Sequence, residues 1–560
     1  MRAFSAATRR LELDEVADEV LDVLVVGLGA TGAGVALDAA SRGLVVLGVD
    51  RDDLASGTSS KSSKLIHGGL RYLENFELSL VHEGVTERQM LMRLAPQLVR
   101  PMDFVYPVWP DTHKRHLVGV GLTTYDVLAG VRNVRRHERA SADEAVALAP
   151  ALEHSGMSHA FVYGDCATDD ARLVLEVALA ARSFGARIAT RCEVTGLLTG
   201  ADGGVCGARV LDRLSGETRE VLARHVVNAT GVWVDRLMGE ADDAHVAAVQ
   251  PSKGVHLVVP HERLPLLTAS VILPSKQGDG RSMFAIPWGR QTILGTTDTE
   301  YDGSLERLAL EQDDLDYVLR AGNDVFDRGL VEDDVVGAWA GVRPLLKTVG
   351  TGKGGVESMG DLSRRHTLIV GGSGLITITG GKLTTYRRMA ADVVDVIVAR
   401  DGRRARCVTD QIPLGCARPW TDLLADVRAA AAAVGIDAET AGWLARDHGE
   451  AAAEVLSLVA QEPALGEPLS AAAPHLLAEV VHAARSEGAL TLDDVLSRRT
   501  RLSLRARDAA LPTAPLAAAL LARETGQDVA WARAQVAAYA AAVRSERGVL
   551  ASTVPDLVAV

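Results

Sequence analysis

Cysteine is scarce in this chain. Five occur in 560 residues, at positions 166, 192, 206, 407 and 416, and no two form a C-x-x-C pair. A disulfide framework and a zinc ribbon are thereby excluded, and a reducing cytoplasm is the expected compartment. Long apolar runs are also missing. Strand-like runs such as Val23–Val26 and Leu44–Leu47 are four residues long, whereas a membrane-spanning helix needs roughly 20. The opening MRAFSAATRRLELDEVADEV has no apolar core of the kind a secretory signal uses. Basic charge falls short of acidic: Lys plus Arg is 59, Asp plus Glu is 73, and the net charge is −14. Non-specific nucleic-acid binding draws on an excess of basic charge, so no nucleic-acid partner is expected. Aromatic residues make up only 4%. A soluble protein, at most bound to a membrane surface, is the reading these absences leave.

Glycine, by contrast, reaches 53 residues, against 48% hydrophobic and 24% charged residues. That balance suits a Gly-rich α/β enzyme, and the length suits two to four domains. Only seven of the glycines lie in 418–560, a stretch rich in Ala, Leu, Val and Arg. Its composition predicts an all-helical domain over about 405–550, which on its own reads as a packing or homodimerisation module. The first 400 residues read as α/β. Leu21–Gly27 is a short strand, Ala33–Arg42 a helix and Leu44–Asp50 a second strand, which together make one β-α-β unit. Val221–Asn228 and Thr367–Gly371 read as further strands ending in Gly-rich turns. The basic run VRNVRRHER at 131–139 is a solvated face or a contact for anionic lipid.

Four motifs carry chemistry. Gly27-Leu28-Gly29-Ala30-Thr31-Gly32 follows a strand and opens a helix. Gly27 permits the tight turn, Gly29 lets the backbone approach a pyrophosphate, and Gly32 lets helix and strand pack closely. Asp50, 18 residues beyond Gly32 at the end of the second strand, is placed for ribose hydroxyls. The alternative is a Gly-rich turn in an ordinary α/β domain. Next comes the loop from Gly57 to Tyr72. Its four serines and its Gly pair favour turns over helix or strand. Thr58, Ser59, Ser63, Lys64, Leu65, His67, Gly68 and Gly69 in it can line a pyrophosphate and then a reactive ring. Third, Asn228-Ala229-Thr230-Gly231 marks another close backbone approach, at Gly231. Fourth, Gly380-Gly381-Lys382-Leu383-Thr384 opens a helix, where backbone N–H groups can face a flavin carbonyl and stabilise a reduced ring.

Together these sites resemble the FAD-dependent, quinone-linked glycerol-3-phosphate dehydrogenases, a branch of the glutathione-reductase and amino-acid-oxidase type of flavoprotein. SSKLIHGGLRYLE (62–74), SKGVHLVV (252–259), GTTDT (295–299), GVRPL (341–345) and GGKLTTYR (380–387) read as that family's motifs in its order, with TDDARL (168–173) and RRTRL (498–502) in support. The resemblance covers about residues 18–545. It implies noncovalent FAD and oxidation of sn-glycerol 3-phosphate to dihydroxyacetone phosphate, by hydride transfer from C2 to flavin N5. It further implies electrons passed to a quinone, with peripheral contact on the cytoplasmic face of the inner or plasma membrane.

The implied fold is a Rossmann-like FAD domain in three segments, 18–100, 160–250 and 340–400. A β-rich substrate cap over 101–159 and 251–339 and the helical domain complete it. Arg71, Tyr72, Arg343, Arg364 and Lys382 match the family's substrate-binding set. Two positions depart from its pattern. Ser363-Arg364-Arg365-His366 has Arg365 where an acidic residue is usual, and Asp50 replaces the commoner Glu. The residue types agree with a phosphate dianion, which favours forked, charge-assisted donors. His67 and His256 are both candidates for the base that takes the C2 hydroxyl proton. Two other readings share the motifs: an oxidase that makes hydrogen peroxide, and a non-catalytic FAD-binding protein. A flavoprotein acting on RNA is disfavoured by the acidic balance.

Overall fold

The structure, a computed structural model, describes residues 2–16, 19–73, 77–112, 115–242, 247–274, 282–346 and 365–555. Two large sheets and a helical domain organise it.

The first sheet begins with Val20–Val26, whose sequence VLDVLVV is buried at six of seven positions. A run this apolar belongs in a parallel sheet covered on both faces. It pairs in parallel with Val46–Val49 on one side and Thr218–Asn228 on the other. Arg187–Ala189 extends one edge, and Ile376–Thr379 then Thr367–Val370 the other. The crossover between the first two strands is the helix Ala30–Ser41, almost entirely buried. Its alanines and Gly34 allow close packing: a Cβ on Gly34 would lie 2.9 Å from the Tyr386 ring. The carboxyl ends of Val20–Val26, Thr218–Asn228 and Ile376–Thr379 converge on one edge, where a ligand of an open α/β sheet binds.

The second sheet runs in the order Thr299–Glu300, Val249–Pro260, Gln291–Gly295, Ser282–Trp288, Ala269–Pro274, Arg100–Val108, His159–Ala167, Leu65–Ile66. Gly337–Leu346 pairs antiparallel along Val249–Pro260. Three strands of the second sheet come from segments expected in the FAD domain: Leu65–Ile66, His159–Ala167 and Gly337–Leu346. None carries a local mark of its partner, and pairing is a tertiary outcome.

Beyond residue 419 come the helices Trp420–Ala433, Ala438–His448, Ala452–Gln461, Leu477–Ser486, Ala514–Thr525 and Val529–Arg547. Leu423, Val455, Val480, Leu521 and Tyr539 belong to their shared core. A small ladder, Pro468–Ser470 with Ala473–Leu476, interrupts the helices. Among the described residues, no helix is long and apolar enough to cross a membrane.

Candidate functional site

The glycine-rich turn leaves no room for side chains. Gly27 has φ +94°, and a Cβ there would come within 2.7 Å of the Ala229 carbonyl oxygen. A Cβ on Gly32 would lie 1.8 Å from the Gly27 oxygen. Gly29 caps the helix Ala30–Ser41 in extended conformation, and a Cβ on it would sit 2.9 Å from Ser59 Oγ. That hydroxyl accepts from the Ala30 N–H at 2.9 Å, which ties the turn to the serine-rich loop.

Beside the turn runs a cavity of about 270 Å³. It passes Gly27, Gly29, Asp50 and Ser59, then Thr230 and Gly231, and reaches Gly380, Gly381, Lys382 and Leu383. Gly380 and Gly381 both have positive φ, +76° and +77°, just before the helical turn Leu383–Thr385. The Asp50 carboxylate accepts from Leu28 N–H at 2.7 Å and Asp52 N–H at 2.9 Å. Burial nevertheless pushes its pKa up to about 6, against the pull of those two donors.

A second chamber of about 300 Å³ opens at the far end and shares Thr58, Pro344 and 380–383 with the first. Ser63, Leu65, His67, Gly69, Tyr72, His256, Arg343 and Thr384 line it. Arg343 arrives from the strand Gly337–Leu346. Its guanidinium donates to Thr296 Oγ1 at 2.9 Å, to the Thr297 carbonyl at 3.2 Å and to Asp298 at 3.2 Å. Gly254 makes room for it, since a Cβ there would lie 2.5 Å from the guanidinium. Lys382 places its ammonium 3.4 Å from the centre of the Tyr72 ring, a cation–π contact.

His256 is buried and shares a hydrogen bond with Ser63 Oγ at 2.9 Å through Nε2. Its Nδ1 has no hydrogen-bond partner among the described residues. The ring stacks on Trp339 with centroids 4.7 Å apart. Burial, then the charges of Arg343 and Lys64, hold its pKa well below the usual imidazole range, so the ring is neutral at pH 7. His67 lines the same chamber, and its backbone is fixed to Thr384: the N–H donates to Thr384 Oγ1 at 3.2 Å and the carbonyl accepts from it at 3.3 Å.

Two residues of the motif loop face elsewhere. Lys64, expected at the cofactor, lines neither cavity. Its positive φ of +56° turns the side chain into the core, where Asp170 accepts from the ammonium at 2.8 Å. Burial and the nearby Arg501 lower its pKa to about 8. Gly68 also lies behind the lining. Its N–H donates to Tyr125 Oη at 3.1 Å, and that hydroxyl donates to Asp165 at 2.9 Å. Arg88 donates to both Tyr125 and Asp165, which completes a buried polar cluster under the Gly pair. Arg364 and the side chain of Arg71 lie outside the described residues. Arg365, in the unusual position, donates to Ser79 Oγ at 2.6 Å, and His366 pairs with Asp392 at 2.9 Å. The sequence reading did not single out Trp339, Tyr125 or Asp165. Nothing local marks them, because each acts through a strand or helix far away in the chain.

A family model described as FAD dependent oxidoreductase matches residues 22–387, and one described as the C-terminal domain of alpha-glycerophosphate oxidase matches 407–534. Glycerol-3-phosphate dehydrogenase 2 of Mycobacterium bovis is 37% identical over 556 residues, covering 99% of this chain and 93% of the relative. The chain belongs to the FAD-dependent glycerol-3-phosphate dehydrogenase family. A crystal structure of such a dehydrogenase from Bacillus halodurans, complexed with FAD, superposes with a TM-score of 0.80 at 29% identity, over 97% of this chain and 98% of that one. The L-alpha-glycerophosphate oxidase of Mycoplasma pneumoniae shares the fold over 70% of this chain and 97% of its own, with a TM-score of 0.55 at 18% identity. FAD is the family's cofactor. The first cavity fits it: Gly27 and Gly29 line it at the helix start without side chains, Gly32 lets the turn pack tightly behind them, and Asp50, Thr230 and residues 380–383 line the rest.

Proposed function

We propose that this chain oxidises sn-glycerol 3-phosphate to dihydroxyacetone phosphate and passes the electrons to a quinone. The observation that carries the reading is the second chamber. It joins the cofactor cavity at 380–383 and puts two cations, Arg343 and Lys382, in one enclosure with a buried neutral imidazole. Bound FAD supplies the hydride acceptor, and the chain supplies orientation, charge and a base. Gly27, Gly29 and Gly32 with the helix start hold the pyrophosphate, and Asp50 holds the ribose. Thr58, Ser59, Ser63, Leu65, Gly231, Gly381, Leu383 and Thr384 enclose the rest. Arg343 and Lys382, with Tyr72, Arg71 and Arg364, take the phosphate dianion. His256 accepts the C2 hydroxyl proton; its Nδ1, without a hydrogen-bond partner among the described residues, supports that assignment, and His67 orients the substrate. Anaerobic bleaching of the flavin by glycerol 3-phosphate, and not by glycerol, tests the reading.

The Asp50 assignment predicts a pH dependence. A carboxylate accepts from ribose hydroxyls, and its protonated form loses an acceptor. FAD affinity of the apoprotein is therefore expected to be constant above pH 7 and to fall as the pH drops through about 6. Asp50→Asn should flatten that profile in a fluorescence titration; an unchanged slope would remove Asp50 from this role. Stability moves the other way. The folded value lies above the unfolded one, 3.8, so the buried carboxylate is unfavourable above pH 6 and that penalty fades as the pH falls toward 4.

For the acceptor, the helix Arg115–Ala129 supports a lipid-side route. Its inner face buries Leu122 and Tyr125, while Leu117, Val120 and Val127 are 59%, 63% and 75% exposed. Val131, just beyond, is 95% exposed. Arg115, Arg132 and Arg136 flank this apolar face. The basic run offers fewer free cations than its spelling suggests, because Arg135 pairs with Asp103 at 2.6 Å and also with Glu138. Salt-sensitive sedimentation with anionic vesicles is expected, with quinone-analogue turnover well above oxygen turnover. Peroxide formed in proportion to substrate, without preference for quinone, would move the assignment to an oxidase, the activity for which the C-terminal family model is named.

A further inference from the structure

The motif RRTRL at 498–502 has no place in the chemistry above, yet its backbone is unusual. Asp494–Arg499 winds as a π-helix, and Arg501 follows in the left-handed region at φ +62°. Both conformations are uncommon for these residues and persist only where the surroundings dictate them.

The side chains that follow the π-turn are held by carboxylates flanking the cofactor loop, Asp53 before it and Asp169 and Asp170 beyond it, more than 300 residues away. Arg498 Nε donates to Asp53 Oδ2 at 2.6 Å, and Arg499 donates to both oxygens of the same carboxylate at 2.6 and 3.0 Å. Asp53 stands three residues beyond Asp50. Arg501 pairs with Asp170, donates to Asp169 at 3.2 Å and reaches the Ser60 carbonyl at 3.4 Å. Asp170 gathers the loop in turn. Its Oδ2 accepts from Ser62 N–H at 3.0 Å and from Ser62 Oγ at 2.7 Å. Its Oδ1 accepts from Lys64, the other non-glycine residue of this cluster with positive φ. The Lys64 ammonium lies 4.8 Å from the Trp339 ring, on which His256 stacks. Asp53, Asp170, Lys64 and Arg501 are all buried.

A buried ion pair is a poor device for stability alone, because the desolvation of both charges offsets their attraction. It is a good device for fixing geometry. Here two strained residues meet at one carboxylate, and that carboxylate holds Ser62, which with Thr58 lines both cavities. We propose that Arg501, acting through Asp170, is a positioning residue that sets residues 58–66 against the flavin. On this view the helical domain takes part in flavin reduction and is more than a packing module. The proposal rests on the functional reading above for its kinetic consequence and on FAD binding alone for its spectroscopic one.

The test compares Arg501→Met, Arg501→Lys and Ser62→Ala in the full-length holoenzyme. Arg290→Ala serves as control; it removes an exposed ion pair with Glu439 that also joins the helical domain to the second sheet. Asp170 keeps Lys64 as counter-ion in Arg501→Met, which favours folding of that variant. Expected for Arg501→Met are FAD affinity lowered about tenfold, an altered visible circular dichroism of the bound flavin, and anaerobic reduction by glycerol 3-phosphate slowed about 10- to 100-fold. The half-saturating substrate concentration should stay within about threefold. Arg501→Lys should recover part of each loss, Ser62→Ala should shift the dichroism in the same direction, and Arg290→Ala should change nothing. Wild-type FAD affinity and dichroism in folded Arg501→Met would overturn the proposal, as would equal losses in Arg290→Ala. If Arg501→Met does not fold, unchanged affinity and dichroism in Ser62→Ala overturn it. If the wild type is not reduced by glycerol 3-phosphate, the functional reading fails, while affinity and dichroism still decide this one.

Discussion

Arg343→Ala is expected to slow flavin reduction by glycerol 3-phosphate at least about a hundredfold, while the already poor reaction of free glycerol hardly changes. Removing one partner of a desolvated, charge-assisted contact costs about 2–5 kcal/mol, or roughly 30- to several-thousand-fold. Arg343 is well placed for such a contact. Thr296, Thr297 and Asp298 fix its fork, and the absence of a side chain at Gly254 lets it lie in the chamber. Arg343→Lys keeps the charge and loses the fork, so an intermediate loss is expected. Anaerobic stopped-flow reduction with both substrates is the measurement. Equal losses for both would mean that Arg343 serves the flavin or the fold.

Gly29→Val is expected to purify folded and colourless. A Cβ at Gly29 already stands 2.9 Å from Ser59 Oγ, and the two further methyls of valine fill the space where the pyrophosphate meets the helix start. Ser59 cannot yield freely, because it accepts from the Ala30 N–H. The ratio of visible to ultraviolet absorbance reports occupancy, and circular dichroism reports the fold. A yellow variant at full occupancy would show that the pyrophosphate lies elsewhere.

The β-α-β unit was legible because its signals are local: one short apolar run broken only by Asp22, three glycines at fixed spacing, one acid at the end of the next strand. The predicted strand Leu21–Gly27 is observed as Val20–Val26, and the predicted helix starts three residues early, at Ala30. Less legible was anything decided by which strand lies next to which. His159–Ala167 reads as well for one sheet as for the other. Lys64 shows a second limit. It sits inside a motif whose neighbours line the chamber, yet one left-handed residue sends its side chain the other way. Trp339 was invisible for a related reason: stacking on His256 joins Gly337–Leu346 to Val249–Pro260, and only their antiparallel register, with His256 opposite Trp339, brings the rings together.

That dependence on distant partners has a bearing on how the protein is made. Asp53 and Arg499 are 446 residues apart in the chain. At roughly 5–20 residues per second, a ribosome takes about 20–90 s to travel between them. Through that interval the nascent glycine turn and its strands can assemble, but the serine-rich loop has no arginines to hold it. If Arg501 positions the loop as proposed, tight FAD binding waits until Asp494–Arg501 packs on Asp53 and Asp170. Until then the glycine turn offers its groove without an ordered loop beside it.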